Sequence, residues 1–314
     1  MHIDSSALYP AIPVIIILVA AEAAFQMKER IHEKKDILTS FIIVLGRIPF
    51  SAATNGFILL LYTLIYRYRI FAFPDYSWFT WVICFFGDDL SFYWFHRCSH
   101  KVRFLWASHQ VHHSSENFTL SSGLRVPWTS NLTGNFLFWA WMPFIGIDSY
   151  MVIFAKSVSS IYQFWLHTET IKKLPRCIEA FFSTPSHHRV HHGSNIEYLD
   201  KNHGGTIIIW DKMFGTYREE TIKPTYGLRS DFDSCNAVKI ILSEWIKIGN
   251  DLKKTKNFSL RLKYLFNPPG WSPDGSSATT KQLQSELKHP PSLKHHPPSI
   301  INLKKFYEKE YTVV

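Results

Sequence analysis

Three short stretches of the chain concentrate imidazoles at spacings suited to metal binding. "HRCSH" sets His96 and His100 four residues apart, "HQVHH" presents His109, His112 and His113 at i, i+3 and i+4, and "HRVHH" repeats that pattern with His188, His191 and His192. Residues three and four apart share a helix face, so each box is expected on a helix and each tripod is expected to offer its three nitrogens together. "FWLHTE" contributes His167. A lone histidine on an apolar surface is more often a satisfied structural residue than a ligand, and one box alone is a weak signal. Three boxes of one spacing form a joint pattern that composition does not explain, even in a chain with sixteen histidines.

Nine histidines exceed what one ion takes, because tetrahedral sites use four ligands and octahedral sites six, so two ions are expected. An all-imidazole set suits iron, zinc or copper; calcium and magnesium demand oxygen. Neutral ligands leave the cations uncompensated, so carboxylates are expected nearby to accept the free ring N–H and fix the tautomer. The candidates are Asp88, Asp89, Glu116, Glu169 and Asp200, with Asp88, Asp89 and Glu116 foremost for a supporting role in catalysis. Asp88 and Asp89 fall near the end of an apolar stretch, where a carboxylate is costly unless partnered. His187, beside the third box, and His203, in "DKNHGG", rank below the nine as ligands. None of the boxes carries H-E-x-x-H, the Glu-x-x-His of soluble di-iron bundles, or C-x-x-C-H, which sets aside the zinc-peptidase, soluble di-iron and attached-haem readings for these histidines.

Apolar segments must position these side chains. Aromatic content is 16% and the charged fraction 19%, below the ~25% of soluble proteins, which suggests contact with lipid. "YPAIPVIIILVAAEAAF" (Tyr9 to Phe25) is expected to cross a bilayer with Glu22 snorkelling toward the headgroups, and it lacks the basic start and cleavage site of a signal peptide. Ser51 to Tyr66, extended upstream through "ILTSFIIVLGRIPF", and Tyr76 to Phe95 are expected to span. Gly134 to Leu166 reads as a helical hairpin turning at Asp148 and Ser149. The basic loop "MKERIHEKK" belongs on the cytoplasmic side by the positive-inside rule, and counting spans from it puts every histidine box on that face; "RYRIF" argues mildly the other way. The net charge of +9 suits an anionic lipid surface, and no nucleic-acid motif is present. Cys84, Cys98, Cys177 and Cys235 lack paired spacing and read as packed thiols in a reducing compartment.

The fold class expected is an all-α integral membrane protein, multi-pass, whose transmembrane helices carry a cytosolic helical cap with a histidine-rich dimetal site. Residues 1–75 form the N-terminal transmembrane helices and 76–217 the catalytic domain. Residues 218–273 form an amphipathic region, in which Val238, Ile241, Leu242, Trp245 and Ile248 recur near helical spacing. That stripe suits either a membrane surface or packing against the domain. Residues 274–314 are expected to be a largely disordered tail, because proline pairs preclude a helix and little apolar material remains; its His289, His295 and His296 are not expected to be ligands.

In order and gaps, the boxes resemble the fatty acid hydroxylase/sterol desaturase superfamily of integral-membrane di-iron oxygenases. "FYWFHR", "HHSSENFTLSSGLR", "YQFWLHTETI" and "TPSHHRVHHGSNIEYLDKNHGGTIIIWDKMFGTY" look most like its alkylglycerol monooxygenase branch, over roughly Asp88 to Tyr217, with "NPPGW" a fainter echo. The resemblance implies a four-helix membrane core under a cytosolic cap, with two irons held by the eight box histidines and His167. It also implies insertion of one atom of O2 into an unactivated C–H bond of a lipid chain of fatty acid, sterol or ether-lipid type, the second oxygen leaving as water. Two external electrons would come from a redox partner of cytochrome b5 or ferredoxin type, or from tetrahydrobiopterin as in the alkylglycerol branch. His203 stands where close relatives usually carry an aromatic residue, and Lys101 where that branch is expected to be acidic. Desaturation, which starts from the same hydrogen abstraction, is the alternative within the enzyme class; a non-redox membrane metal carrier or sensor is the alternative outside it. Trp94, Trp106, Trp128 and Phe118 are candidates to line a substrate channel or to pack between helices.

Overall fold

The apolar residues leading to Tyr66 form one uninterrupted helix, longer than a single bilayer crossing requires. In the computed structural model, which describes residues 11–26, 31–74, 76–229 and 235–288, α1 covers Ala11–Gln26 and α2 covers Ile31–Tyr66, running through Pro49. Lys34–Tyr66 is the one stretch among the described residues long and apolar enough to cross a membrane; Ala11–Ala24 and Asn135–Ile145 are shorter apolar helices. The expected span from Tyr76 is helical as α3 (Trp78–Lys101), started by Ser77, whose hydroxyl accepts from the Thr80 amide. Asp88 and Asp89 interrupt its apolar run.

The expected hairpin differs between its arms. A 3-10 turn over Asn135–Trp139 and the short α5 (Trp141–Ile145) make the first arm, and α6 (Ser149–Phe164) makes the second. Gly146 turns between them at φ 114°, where an added Cβ would lie 2.2 Å from the Phe71 carbonyl oxygen, so only glycine fits. Asp148 then caps α6 by accepting from the amides of Tyr150 and Met151. Ile58 and Tyr62 of α2, Cys84 of α3, Met142 of α5 and Met151 of α6 pack into one core. The opposite faces carry exposed Leu45, Ile48, Phe57, Leu60 and Phe79. Contiguous apolar exposure on this scale marks a surface that meets lipid or another protein.

Four helix ends meet at one level. Glu22, near the end of α1, accepts from the Leu120 amide and the Thr168 hydroxyl, which corrects the expectation that it snorkels. Asp36, in the second turn of α2, holds Arg125 at 2.5 Å with both side chains almost fully buried. α3 ends just past His100, and α6 ends just before His167.

A helical cap covers this level: α4 (Arg103–His109), α7 (Arg176–Phe181), α8 (Pro185–His192), α9 (Ile209–Met213), α10 (Ala237–Lys253), α11 (Phe258–Phe266) and α12 (Thr280–Lys288). Of the stripe expected on α10, Ile241 and Ile248 are buried, joined by Ile240, which packs with Ile43 of α2 and Val111, whereas Val238 and Leu242 are exposed, correcting those two positions. Its Glu244 and Asp251 each take Arg103 of α4 at 2.7 Å. α12 corrects the expectation of disorder from Asp274. Thr279 and Gln282 form a capping box, and Gln284 donates to the carbonyls of Ile196 and Leu199 at 3.1 and 3.0 Å. This segment lies between the proline pairs Pro268–Pro269 and Pro290–Pro291 and contains no proline itself, so nothing in its composition forbids a helix. His289, His295 and His296 lie outside the described residues. None of the four cysteines is in a disulfide.

Candidate metal centre

Where the helix ends converge, nine histidines meet in two groups. His96, His100, His109, His113 and His191 form one, and His112, His167, His188 and His192 the other; within each, the candidate ligand nitrogens all lie within 4.8 Å of one another. The tripods are therefore divided, which corrects the expectation that each acts as a unit. In both, the residues at i and i+4 share a group and the residue at i+3 joins the other. The third box is helical, as α8. The second is helical only to His109, beyond which the chain tightens into turns, with the His112 amide donating to His109 at 2.9 Å and that of His113 to Gln110 at 3.1 Å.

The nitrogen geometry fits a pair of ions. Nε2 atoms face each other at 3.1 Å between His96 and His109, 3.2 Å between His109 and His113, 3.1 Å between His112 and His167, 2.9 Å between His167 and His188, and 3.1 Å between His188 and His192. Facing lone pairs at such distances repel unless a proton or cation lies between them. For metal–nitrogen bonds of ~2.05 Å, neighbouring ligands sit ~2.9 Å apart in octahedral and ~3.4 Å apart in tetrahedral geometry, and the observed spacing falls within that range. The outer nitrogens are anchored by peptide carbonyls. Nδ1 of His96 donates to His203 O at 2.9 Å, that of His191 to Lys201 O at 2.9 Å, and that of His167 to Gln163 O at 3.0 Å. Each bond fixes the tautomer that turns the Nε2 lone pair inward. Nε2 of His100 and of His191 is buried without a hydrogen-bond partner among the described residues. Burial pushes the His96 imidazole down to about 3 and His167 to about 4, and burial with the neighbouring rings holds His109, His112, His113, His188, His191 and His192 well below the usual value. The rings are neutral, the state in which imidazole binds metal.

The carboxylates take other roles than expected. Asp88 accepts from the Trp139 indole at 2.7 Å. Asp89 accepts from the Thr206 amide at 2.6 Å and the Trp210 indole at 2.9 Å, tying α3 to the segment whose His203 carbonyl anchors His96. Glu116 is exposed beside Gly227, and Glu169 accepts from Tyr226. Of the five, Asp200 meets a ligand candidate, at 3.6 Å from Nδ1 of His100. Burial pushes its carboxyl up, but the bonds and charges of His100 and Lys101 outweigh that and hold it below its ordinary value. Lys101 reaches Asp200 at 2.6 Å, so this departure serves the histidine's partner. His187 turns away from both groups to Glu179, at 3.2 Å. His203 is fully buried with its ring centroid 5.1 Å from that of His100, and both its ring nitrogens lack partners among the described residues.

Two cavities flank the histidines. One of about 210 Å3 opens between α2, α3 and α6; His96, His112, His167, Phe92, Phe95 and Phe164 are among its walls. The other, of about 230 Å3, lies on the cap side against His100, His113 and Trp106, with Thr280 and Leu283 from the α12 region in its wall. Of the aromatics proposed for a channel, only Trp106 lines either cavity. Trp94 packs on Phe214, Trp128 donates to the Ile43 carbonyl at 2.7 Å, and Phe118 covers the His192 ring. Sequence reasoning misses Arg125, which braces the loop after the second box through Asp36 and the Ser114 hydroxyl. It also misses Gly123, where an added Cβ would fall 2.9 Å from Nδ1 of His167.

An all-α frame bearing two adjacent imidazole groups is the setting in which the comparisons with known proteins fall. The chain belongs to the fatty acid hydroxylase/sterol desaturase superfamily, and the fatty acid hydroxylase family model matches residues 81–216. It is similar to alkylglycerol monooxygenase of Xenopus tropicalis, 36% identical over 274 residues that cover 87% of this chain and 60% of that protein. The Homo sapiens alkylglycerol monooxygenase is 39% identical over 240 residues, covering 76% and 53%. The ornithine lipid hydroxylase OlsE of Rhizobium tropici is 28% identical over 139 residues, covering 41% and 39%. The chain thus spans 60% or less of the length of these relatives. No solved structure matches at a significant level.

Proposed function

We propose that the protein is a membrane-bound di-iron oxygenase that hydroxylates an alkyl chain of a lipid, with residues 76–217 as its catalytic domain. The observation that carries this reading is the pair of adjacent all-imidazole groups facing a cavity between apolar helices. Iron held by these nine histidines would supply O2 activation and attack on an unactivated C–H bond. The balance is R–H plus O2, two electrons and two protons, giving R–OH and water. The chain's own work is positioning. Backbone carbonyls of residues 163, 201 and 203 hold three imidazoles in one tautomer, and Phe92, Phe95 and Phe164 give the cavity an apolar wall that admits a chain and discourages water.

The same reading makes the protein multi-pass. Four helix ends level with the histidines favour one membrane face for the whole site, and the basic loop before α2 favours the cytoplasmic one. An external donor, a protein of cytochrome b5 or ferredoxin type or tetrahydrobiopterin, would deliver electrons from the cap side, where the second cavity opens. The relatives named for alkylglycerols and ornithine lipid favour a lipid substrate. The test is the metal content of protein purified in detergent without oxygen from iron-supplemented cells, followed by 18O2 exposure with a lipid extract and a reductant. Two irons per chain and one 18O in a lipid product are expected. Zinc alone, persisting in excess iron with no O2-dependent product, would transfer the histidines to a metal carrier or sensor.

A further inference from the structure

The cavity between α2, α3 and α6 is not purely apolar. Arg47 of α2 and Lys156 of α6 both line it, on the same walls as His96, His112 and His167. Neither cation has a side-chain hydrogen bond or an ion pair within 4 Å among the described residues; the Lys156 ammonium lies 3.8 Å over the Trp139 ring centroid and feels the Asp88 carboxylate at longer range, while Arg47 has no such carboxylate. The one carboxylate in the lining is Asp88, already engaged by the Trp139 indole. Two cations against one carboxylate leave the cavity positive. The imidazoles add no negative charge, so any cation they hold makes it more so.

Cations set among apolar helices are expensive unless they are paired, and where they occur they mark a ligand path. An unpaired acceptor adds a second requirement. Asn135 donates through Nδ2 to the Ser130 hydroxyl at 2.8 Å, while its Oδ1 is buried without a partner among the described residues. Asn135 and Ser130 line the same cavity. An anion would satisfy Arg47 and Lys156, and a hydroxyl or amide N–H beside that anion would satisfy Asn135.

We infer that this cavity binds the anionic head of its lipid, a carboxylate or phosphate with a neighbouring hydroxyl or amide donor, through Arg47 and Lys156. The identity of the ligand as a lipid rests on the oxygenase reading; its charge does not. The chain leaves between the helices toward their exposed apolar faces, while the head stays beside the histidines.

Binding is measured with the metal-loaded protein in neutral detergent, without oxygen or reductant, by calorimetry with dodecyl phosphate, dodecanoate at pH 8, dodecanol and inorganic phosphate. Both anionic amphiphiles are expected to bind at least about tenfold tighter than dodecanol, the scale of one favourable charge contact. K156M and R47M should each remove most of that preference and leave dodecanol binding unchanged, and K156R should restore it. Equal affinity of wild-type protein for dodecanol and both anions overturns the inference, and this comparison needs no variant to fold. Inorganic phosphate binding as tightly as dodecyl phosphate also overturns it, in favour of a free-anion site. Anion preference in a protein that proves to carry zinc and yield no oxygenated product would retain the cationic site and discard the oxygenase.

Discussion

Gly123→Ala tests the four-histidine group without touching a ligand. Gly123 lies in the 3-10 turn Ser122–Leu124, and a methyl group there would meet Nδ1 of His167 at 2.9 Å and its Cγ at 3.0 Å. Comfortable carbon contacts begin at ~3.5 Å, so the ring must give way by about 0.5 Å. It has little room to do so. Its Nδ1 is bonded to Gln163 O at 3.0 Å, and its Nε2 already faces those of His112 and His188 at 3.1 and 2.9 Å. Metal–ligand distances tolerate about ±0.2 Å, so the displacement exceeds what coordination absorbs. Losing a supporting contact costs 10- to 100-fold in metal affinity; displacing the ligand itself should reach the upper end, about 2.7 kcal/mol. The five-histidine group does not contain His167 and should keep its ion. Under a chelator that leaves wild-type protein loaded, metal content by mass spectrometry should fall from two ions per chain toward one. Gly249→Ala, where a methyl meets nothing within 4 Å, is the control. Full retention of both ions by Gly123→Ala at wild-type chelator resistance would refute the placement of His167 as a ligand.

Other perturbations probe the supporting structure. Asp36→Ala strands the Arg125 guanidinium, which is 0% exposed, and should cost about 3–5 kcal/mol in thermal or chemical unfolding; a loss under 1 kcal/mol would mean that water reaches the pair. His203→Phe removes two unpartnered buried nitrogens and should raise the unfolding midpoint with both metal ions retained; loss of an ion would make His203 a ligand. In metal-depleted protein, acid should unfold the chain. Burial holds His96 at about 3 and His167 at about 4 against an ordinary 6.5. The unfolded state therefore binds protons that these rings refuse, so their stability is complete above pH 6.5 and falls by about 1.4 kcal/mol per pH unit for each ring below it, down to the folded values. Circular dichroism followed from pH 7 to pH 4 should show that loss, shifted to lower pH by metal; a flat profile in the metal-depleted protein would contradict neutral buried imidazoles.

The elements that the sequence reveals are those whose composition is one-sided. The run to Tyr66 and the stripe through Ile241 and Ile248 each announce a helix, although whether α10 meets lipid or protein depends on Arg103, a residue far away in the chain. α12 escapes notice because the proline pairs after it dominate the composition, while its actual signal is local, a threonine and a glutamine three residues apart. The ligand candidates are visible because imidazole is uncommon in apolar segments. Their partners are not. Carboxylates are conspicuous in a sequence and peptide carbonyls are not, so the anchors at residues 163, 201 and 203 emerge only once the chain is folded.

The division of the third box, which is helical throughout, has a geometric cause that the spacing already contains. Successive helical residues turn by about 100°, so i and i+4 lie some 40° apart while i+3 and i+4 lie about 100° apart. Two adjacent imidazoles cannot converge on one ion from such directions without leaving their rotamers. The pair at i and i+4 can, and the residue at i+3 is turned toward whatever lies on the other side. In α8 this gives His188 and His192 to one group and His191 to the other, and the second box hands its residues out in the opposite sense. The second and third boxes thus each clasp both groups, so that removing either of these turns would loosen two centres together, whereas the first box serves the five-histidine group alone. An H-x-x-H-H box therefore encodes a pair of neighbouring sites, and a single isolated ion would leave its middle histidine without a purpose.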